Sequence, residues 1–166
     1  MLQSVMAWLV AAQALVVWDA LVAASIFIAS VAFAFTLGRN SIIVSFVAVV
    51  LAGLVAHLFP DVGSLSFLAS LSAEHFKILV FGVATIIFGL VFRRNRFFEP
   101  YIIPTGLERF VFAAVLAGLI IVIIGSFVDP ETLSIYVRQL FVSPLARLAW
   151  LLAPVIMMAI FRGDNA

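Results

Sequence analysis

Long apolar runs broken by isolated charged residues set the pattern of this chain. An ionised side chain costs a few kcal/mol at the centre of a hydrocarbon layer, so each charge marks where a helix should reach an interface. Asp19 and Arg39 frame the uncharged run Ala20 to Gly38, and a second run, Ile42 to Pro60, follows at once. The link Gly38-Arg39-Asn40-Ser41 between them predicts a tight helical hairpin. Gly38 supplies a left-handed cap for the first helix, and Asn40 or Ser41 caps the start of the second.

Residues 61–72 carry Gly, Ser and Asp in the manner of an external loop. A third helix is predicted over 73–92. Its uncharged part, Ile78 to Phe92, is only about 22 Å long at 1.5 Å per residue, so Lys77 must snorkel to the headgroups. Arg93, Arg94 and Arg96 then open the one basic stretch, in which Pro100 and Pro104 deny a continuous helix. The fourth helix, 107–128, holds the longest run of Ile, Val and Leu and stops at Asp129-Pro130. From 131 to 142, Leu133, Tyr136, Val137, Leu140 and Phe141 fall at helical spacing, which suits a helix lying in the interface. Ser143-Pro144 reads as an N-cap and first helical position opening a last helix, 145–161, that Pro154 should kink.

Residues 1–18 are apolar and meet Ala20 with only Trp18-Asp19 between, too short a link for a helical hairpin. One straight helix from Met1 to Gly38 would reach about 57 Å, nearly twice the hydrocarbon thickness, so a bend or break is expected near Trp18-Asp19. The segment 1–18 is then an interfacial or half-inserted helix with Trp8 and Trp18 as anchors. The pattern as a whole predicts an all-α chain, a polytopic transmembrane helix bundle of about five spans near 20–38, 42–60, 73–92, 107–128 and 145–161, with interfacial helices beside them. Between four and six spans fit the same lengths, at roughly 20 residues each.

Composition strengthens this picture. Of 166 residues, 66% are hydrophobic and 10% charged, and the mean hydropathy is +1.33, too little polar surface to clothe a water-soluble globule. Unbroken apolar runs also differ from the alternating positions of a membrane β-barrel. A net charge of +1 without a sustained Lys/Arg tract speaks against a nucleic-acid partner. The chain has no cysteine, which excludes disulfides, thiolate chemistry and cysteine-ligated metals. No Lys or Arg precedes Arg39, so the basic region of a cleaved signal peptide is lacking and the whole chain is expected to be mature protein. With five spans, six of the nine basic residues (Arg39, Arg93, Arg94, Arg96, Arg109 and Arg162) share one side, against Lys77, Arg138 and Arg147 on the other. That imbalance predicts a multi-pass inner-membrane protein with its N-terminus outside and C-terminus in the cytoplasm.

Candidate chemistry is sparse. His57 and His75 map to the outer interface near Asp61 and Glu74, so a His/carboxylate metal site can be drawn. Interfacial histidine is the more ordinary reading, since Glu74 and Lys77 stand at pairing distance along a helix and nothing enforces fourfold ligation. Neither a metal nor any other cofactor is therefore assigned. Ser25, Ser30, Ser45 and Ser126 lie in spans, yet no Asp, Glu or Lys sits at any span's centre to serve intramembrane hydrolysis or a proton relay. Small residues are more informative. Gly82, Thr85 and Gly89 share one face of the third helix, Ala114, Gly118 and Gly125 make a groove along the fourth, and Ser25/Ala29 and Ser30/Ala34 repeat the spacing in the first. Such faces serve packing within the bundle or contact with a second copy or another membrane protein. The basic loop, with Phe97 and Phe98 beside Arg93, Arg94 and Arg96, is a topology signal that could also meet anionic headgroups.

Trp18-Asp19, the helix that follows, and Leu37-Gly38-Arg39-Asn40 leading into a second helix resemble the colicin V production family of small bacterial inner-membrane proteins. The chain is similar as well to short membrane proteins of candidate-phylum bacteria. The likeness covers roughly residues 18 to 60. It departs from the family in the apolar stretch before Trp18 and in Asn40, which stands where a glycine is usual. The resemblance implies an envelope role in export, secretion or homeostasis and carries no catalytic residues. The expected function is accordingly non-enzymatic, an accessory or scaffold in the bilayer; a small pore or carrier is the alternative, and a lipid-acting enzyme using His57 or His75 a weaker one.

Overall fold

The computed structural model describes residues 2–36, 41–59, 72–94 and 106–160. Helix α1 is Leu2–Thr36, α2 Ser41–Leu58, α3 Ala73–Arg94 and α4 Gly106–Gly125. After α4 come a single 3-10 turn, Pro130–Thr132, the short α5, Ile135–Val137, a π-helical turn, Arg138–Val142, and α6, Pro144–Ile160. No strand occurs among the described residues.

Helix α1 does not break at Trp18-Asp19. It runs for 35 residues, about 52 Å at 1.5 Å per residue. Two features account for its continuity. Leu2 to Thr36 contains neither Gly nor Pro, so nothing interrupts the backbone ladder. The carboxylate of Asp19, halfway along, also has a partner, since Oδ2 accepts from the Ser134 N–H at 2.6 Å.

The 131–142 segment also differs from the single interfacial helix expected of it. Helix α4 stops at Gly125, where the Ser126 N–H bifurcates to the carbonyls of Val122 and Ile123, both at 3.1 Å. Asp129 then caps the 3-10 turn, its Oδ1 accepting from the Glu131 N–H at 3.0 Å. Ser134 caps α5, its Oγ accepting from the Val137 N–H at 3.4 Å. The π turn closes with the Ser143 N–H donating to the Arg138 carbonyl at 2.8 Å. The 3-10 turn and α5 each start at a residue whose side chain captures a backbone N–H, and the π turn follows α5 without a side-chain cap.

Three helices are long and apolar enough to cross a membrane, over Trp18–Phe35, Ala73–Arg94 and Leu107–Gly125. A fourth crossing exists if Ile135–Val142 and Pro144–Ile160, bent by 51° at their junction, count as one broken span. The described apolar part of α2, Val44–Leu58, is shorter, about 22 Å against a hydrocarbon core of about 30 Å.

Helix α4 sits at the centre, packed against α1, α2 and α6, while α3 lies along α2. Its apolar window is 44% buried, against 11% for those of α1 and α3. The core is built from Phe112, Leu116 and Leu119 of α4, Phe46 and Val49 of α2 and Phe81 of α3. On α2, Ala48, Ala52 and Ala56 are buried at successive four-residue steps, a small-residue stripe that lets neighbouring backbones come close. At Gly53 beside it, an added β-carbon would stand 3.1 Å from the Ile123 side chain.

Candidate functional site

Close packing along the Ala52/Ala56 half of α2 gives way, toward the other end of the same helices, to a cavity of about 550 Å³ between α1, α2, α3 and α4. The cause lies in side-chain size. Where Ser30 of α1, Ser45 and Ala48 of α2 and Gly89 of α3 face one another, small residues leave space that the aromatic core does not fill. Ser30 and Ser45 are buried. The Thr85 hydroxyl donates to the Phe81 carbonyl at 2.8 Å, so its polar hydrogen is spent on its own helix. Apart from Arg93, the remaining lining is hydrocarbon, including Phe33, Leu90 and Leu116. The volume falls within the range usual for small-molecule sites, about 300–1,000 Å³.

Arg93 is the one ionisable residue among those lining the cavity. It belongs to the last turn of α3, where a cation also complements the partial negative charge of a helix C-terminus. From Thr85 to Arg93 the groove extends about 12 Å along α3, close to one leaflet's share, about 15 Å, of a hydrocarbon core. The result, among the described residues, is an apolar trough with one cation at the end of α3.

A second polar assembly occupies the other end of α3. Glu74 Oε1 accepts from the Asp129 N–H at 3.3 Å, while Asp19 takes the Ser134 N–H. Two carboxylates from α1 and α3 thus clasp the turn that leaves α4. The sequence marks Asp19 as a boundary and as part of the Trp18-Asp19 motif, and gives no sign of this partner.

The residues singled out from sequence are distributed as follows. His57 is exposed at the last turn of α2, and the exposed His75 is hydrogen-bonded through Nδ1 to the Ser72 hydroxyl at the start of α3. Among the described residues no group of three or more His, Asp or Glu side chains is arranged to hold a metal ion; Asp61 lies outside them. Thr85 and Gly89 line the groove, whereas Gly82 does not. A β-carbon added at Gly82 or Gly89 would meet nothing within 4 Å. On α4, Ala114 is half-buried and Gly118 lies directly beneath the Trp150 ring of α6. A methyl on Gly125 would reach within 3.0 Å of Val142. Arg93 and Arg94 are exposed at the end of α3, and Arg96, Phe97 and Phe98 lie outside the described residues.

Trp150 escaped the sequence reading. Its Nε1–H donates to the Leu140 carbonyl at 2.9 Å, and its ring stacks on Phe141 with centroids 5.4 Å apart. The indole thus pins the bend between the π turn and α6 onto the glycine of α4. A ten-residue separation between donor and acceptor has no helical periodicity to betray it. The Ala48/Ala52/Ala56 stripe, by contrast, is plain in the spacing once α2 is recognised.

Comparison with known protein families, curated proteins and solved structures gives no match to this chain. The resemblance to the colicin V production family therefore rests on Trp18-Asp19 and the Leu37-Gly38-Arg39-Asn40 link alone.

Proposed function

We propose that this is a non-enzymatic integral membrane protein, an accessory or scaffold of the cell envelope, that holds a membrane amphiphile in the groove lined by α1, α2, α3 and α4. One observation carries the reading: a largely hydrocarbon-lined trough of about 550 Å³, one leaflet deep, with one cation, Arg93, among the described residues that line it. Such a lining suits retention of an apolar chain and offers a water-soluble solute few partners. On the five-span reading, with the N-terminus outside, Arg93 lies on the cytoplasmic side, the side to which that reading assigns six of the nine basic residues. The likeness of residues 18 to 60 to colicin V production proteins points the same way, toward export or envelope upkeep.

The groove is tested by plugging it. Gly89→Leu places a side chain in open space and favours the helix, so the fold is retained. Displacing about two methylenes of ligand at about 0.8 kcal/mol each should weaken its retention roughly 15-fold. Gly82→Leu, equally unhindered but outside the lining, should leave it unchanged. Native mass spectrometry of protein extracted in mild detergent reads the bound species directly. Equal occupancy in both variants would end the groove reading, and solute flux from the pure protein in liposomes would favour a pore instead.

A further inference from the structure

We infer that the occupant of the groove is an anionic phospholipid of the leaflet that Arg93 faces, one acyl chain lying in the trough and the phosphate meeting the Arg93 guanidinium. The inference rests on the groove reading above and adds to it the identity of the headgroup. Three features of the site lead there. The lining from Thr85 to Leu90 is apolar or has its hydroxyl hydrogen already engaged, which fits a saturated chain and disfavours a polar one. Its length along α3, about 12 Å, matches the depth of one leaflet's hydrocarbon, so a chain entering from the headgroup side ends near the middle of the helix packing. At that headgroup end stands a guanidinium, whose planar fork of donors suits phosphate oxygens. Among the described residues no carboxylate lines the trough to oppose a negative headgroup. A zwitterionic lipid brings a cation beside its phosphate and gains less from a lone arginine. Arg94 follows on the same helix end but is not among the described residues that line the groove, so the contact is assigned to Arg93.

The full chain, reconstituted in nanodiscs of equal parts phosphatidylcholine and phosphatidylglycerol with matched acyl chains, is released for native mass spectrometry and its retained lipids are counted. Phosphatidylglycerol should be retained about fivefold over phosphatidylcholine, the ratio expected of one arginine at a membrane surface. Arg93→Ala should bring the ratio to about one while total retention stays near that of the parent, because the chain contacts survive. Arg94→Ala should keep most of the preference, and Gly89→Leu should remove both lipids together. Lipid retained without headgroup preference, or lost preference that is equal in Arg93→Ala and Arg94→Ala, would overturn the headgroup assignment and leave the groove standing. A species that retains no lipid, or a dimer whose second copy fills the trough, would overturn the groove itself.

Discussion

Gly118 shows most directly how a single side chain shapes this protein. Its α-carbon lies beneath the face of Trp150, and a β-carbon there would fall within the indole ring. Gly118→Ala must therefore push the ring away, straining both its stacking on Phe141 and its hydrogen bond to the Leu140 carbonyl. Overpacking of this kind costs about 1–3 kcal/mol, and the variant should melt at lower temperature in detergent with altered tryptophan fluorescence. Gly82→Ala, made in open space, should gain up to about 1 kcal/mol from helix propensity. An unchanged melting temperature in Gly118→Ala would mean that the indole sits elsewhere. The two glycines look alike in sequence, each in a face of small residues. Small-residue spacing reports that close approach is permitted, and whether anything approaches depends on side chains far along the chain.

Asp19 carries the same lesson for a polar group. Its position between apolar runs made it legible as a boundary, but its partner, the Ser134 N–H, lies 115 residues away. Removing the acceptor with Asp19→Ala leaves a part-buried backbone donor unpaired, a loss of about 1–3 kcal/mol. Asp19→Asn keeps an acceptor oxygen and should recover much of that stability. Chemical denaturation in lipid or micelle, with both variants beside the parent, checks the order; equal stability of all three would show that the clasp contributes nothing.

Among the elements, the helices α2, α3 and α4 were readable because charges and long apolar runs bound them. The stretch from Asp129 to Ser143 was not. Its apolar residues keep helical spacing, yet Asp129 and Ser134 each capture backbone N–H groups, and the ladder slips into a π turn before Ser143. Periodicity sees the apolar face and misses the local competition for hydrogen bonds. The 51° bend that results makes α6 either the second half of a broken span or a re-entrant arm. With no native cysteine in the chain, the two are separable by single-cysteine labelling at Glu131, exposed just before the bent pair, and at Ile160, its last residue. Glu131→Cys should react with an impermeant maleimide added to intact cells, and Ile160→Cys only after the membrane is opened. Reaction of both from the same side would make α6 re-entrant and lower the number of crossings.

For the molecule as a whole, the decisive property is which surface is apolar. The core draws on small and aromatic residues around α4, while large aliphatic side chains such as Leu79, Val83 and Ile87 of α3 and Leu152, Val155 and Ile156 of α6 point outward. Water would make that arrangement aggregate, whereas lipid tails satisfy it. Val83, near the middle of α3 and 49% exposed, converts this contrast into a measurement. On a water-soluble protein Val83→Lys would be a surface change within about 0.5 kcal/mol of neutral. At the centre of a span, an ionised lysine should raise the apparent free energy of insertion of α3 by about 2.5–3.5 kcal/mol. A glycosylation-based insertion assay on the segment Ala73–Arg94 reads that quantity, and Lys at Glu74, already at the helix end, provides a comparison that should cost far less because its stem can reach the interface. If Val83→Lys inserts as readily as Glu74→Lys, α3 does not place Val83 in hydrocarbon. The outward aliphatic face would then have to be covered by protein, and the groove beside α3 would no longer open onto lipid.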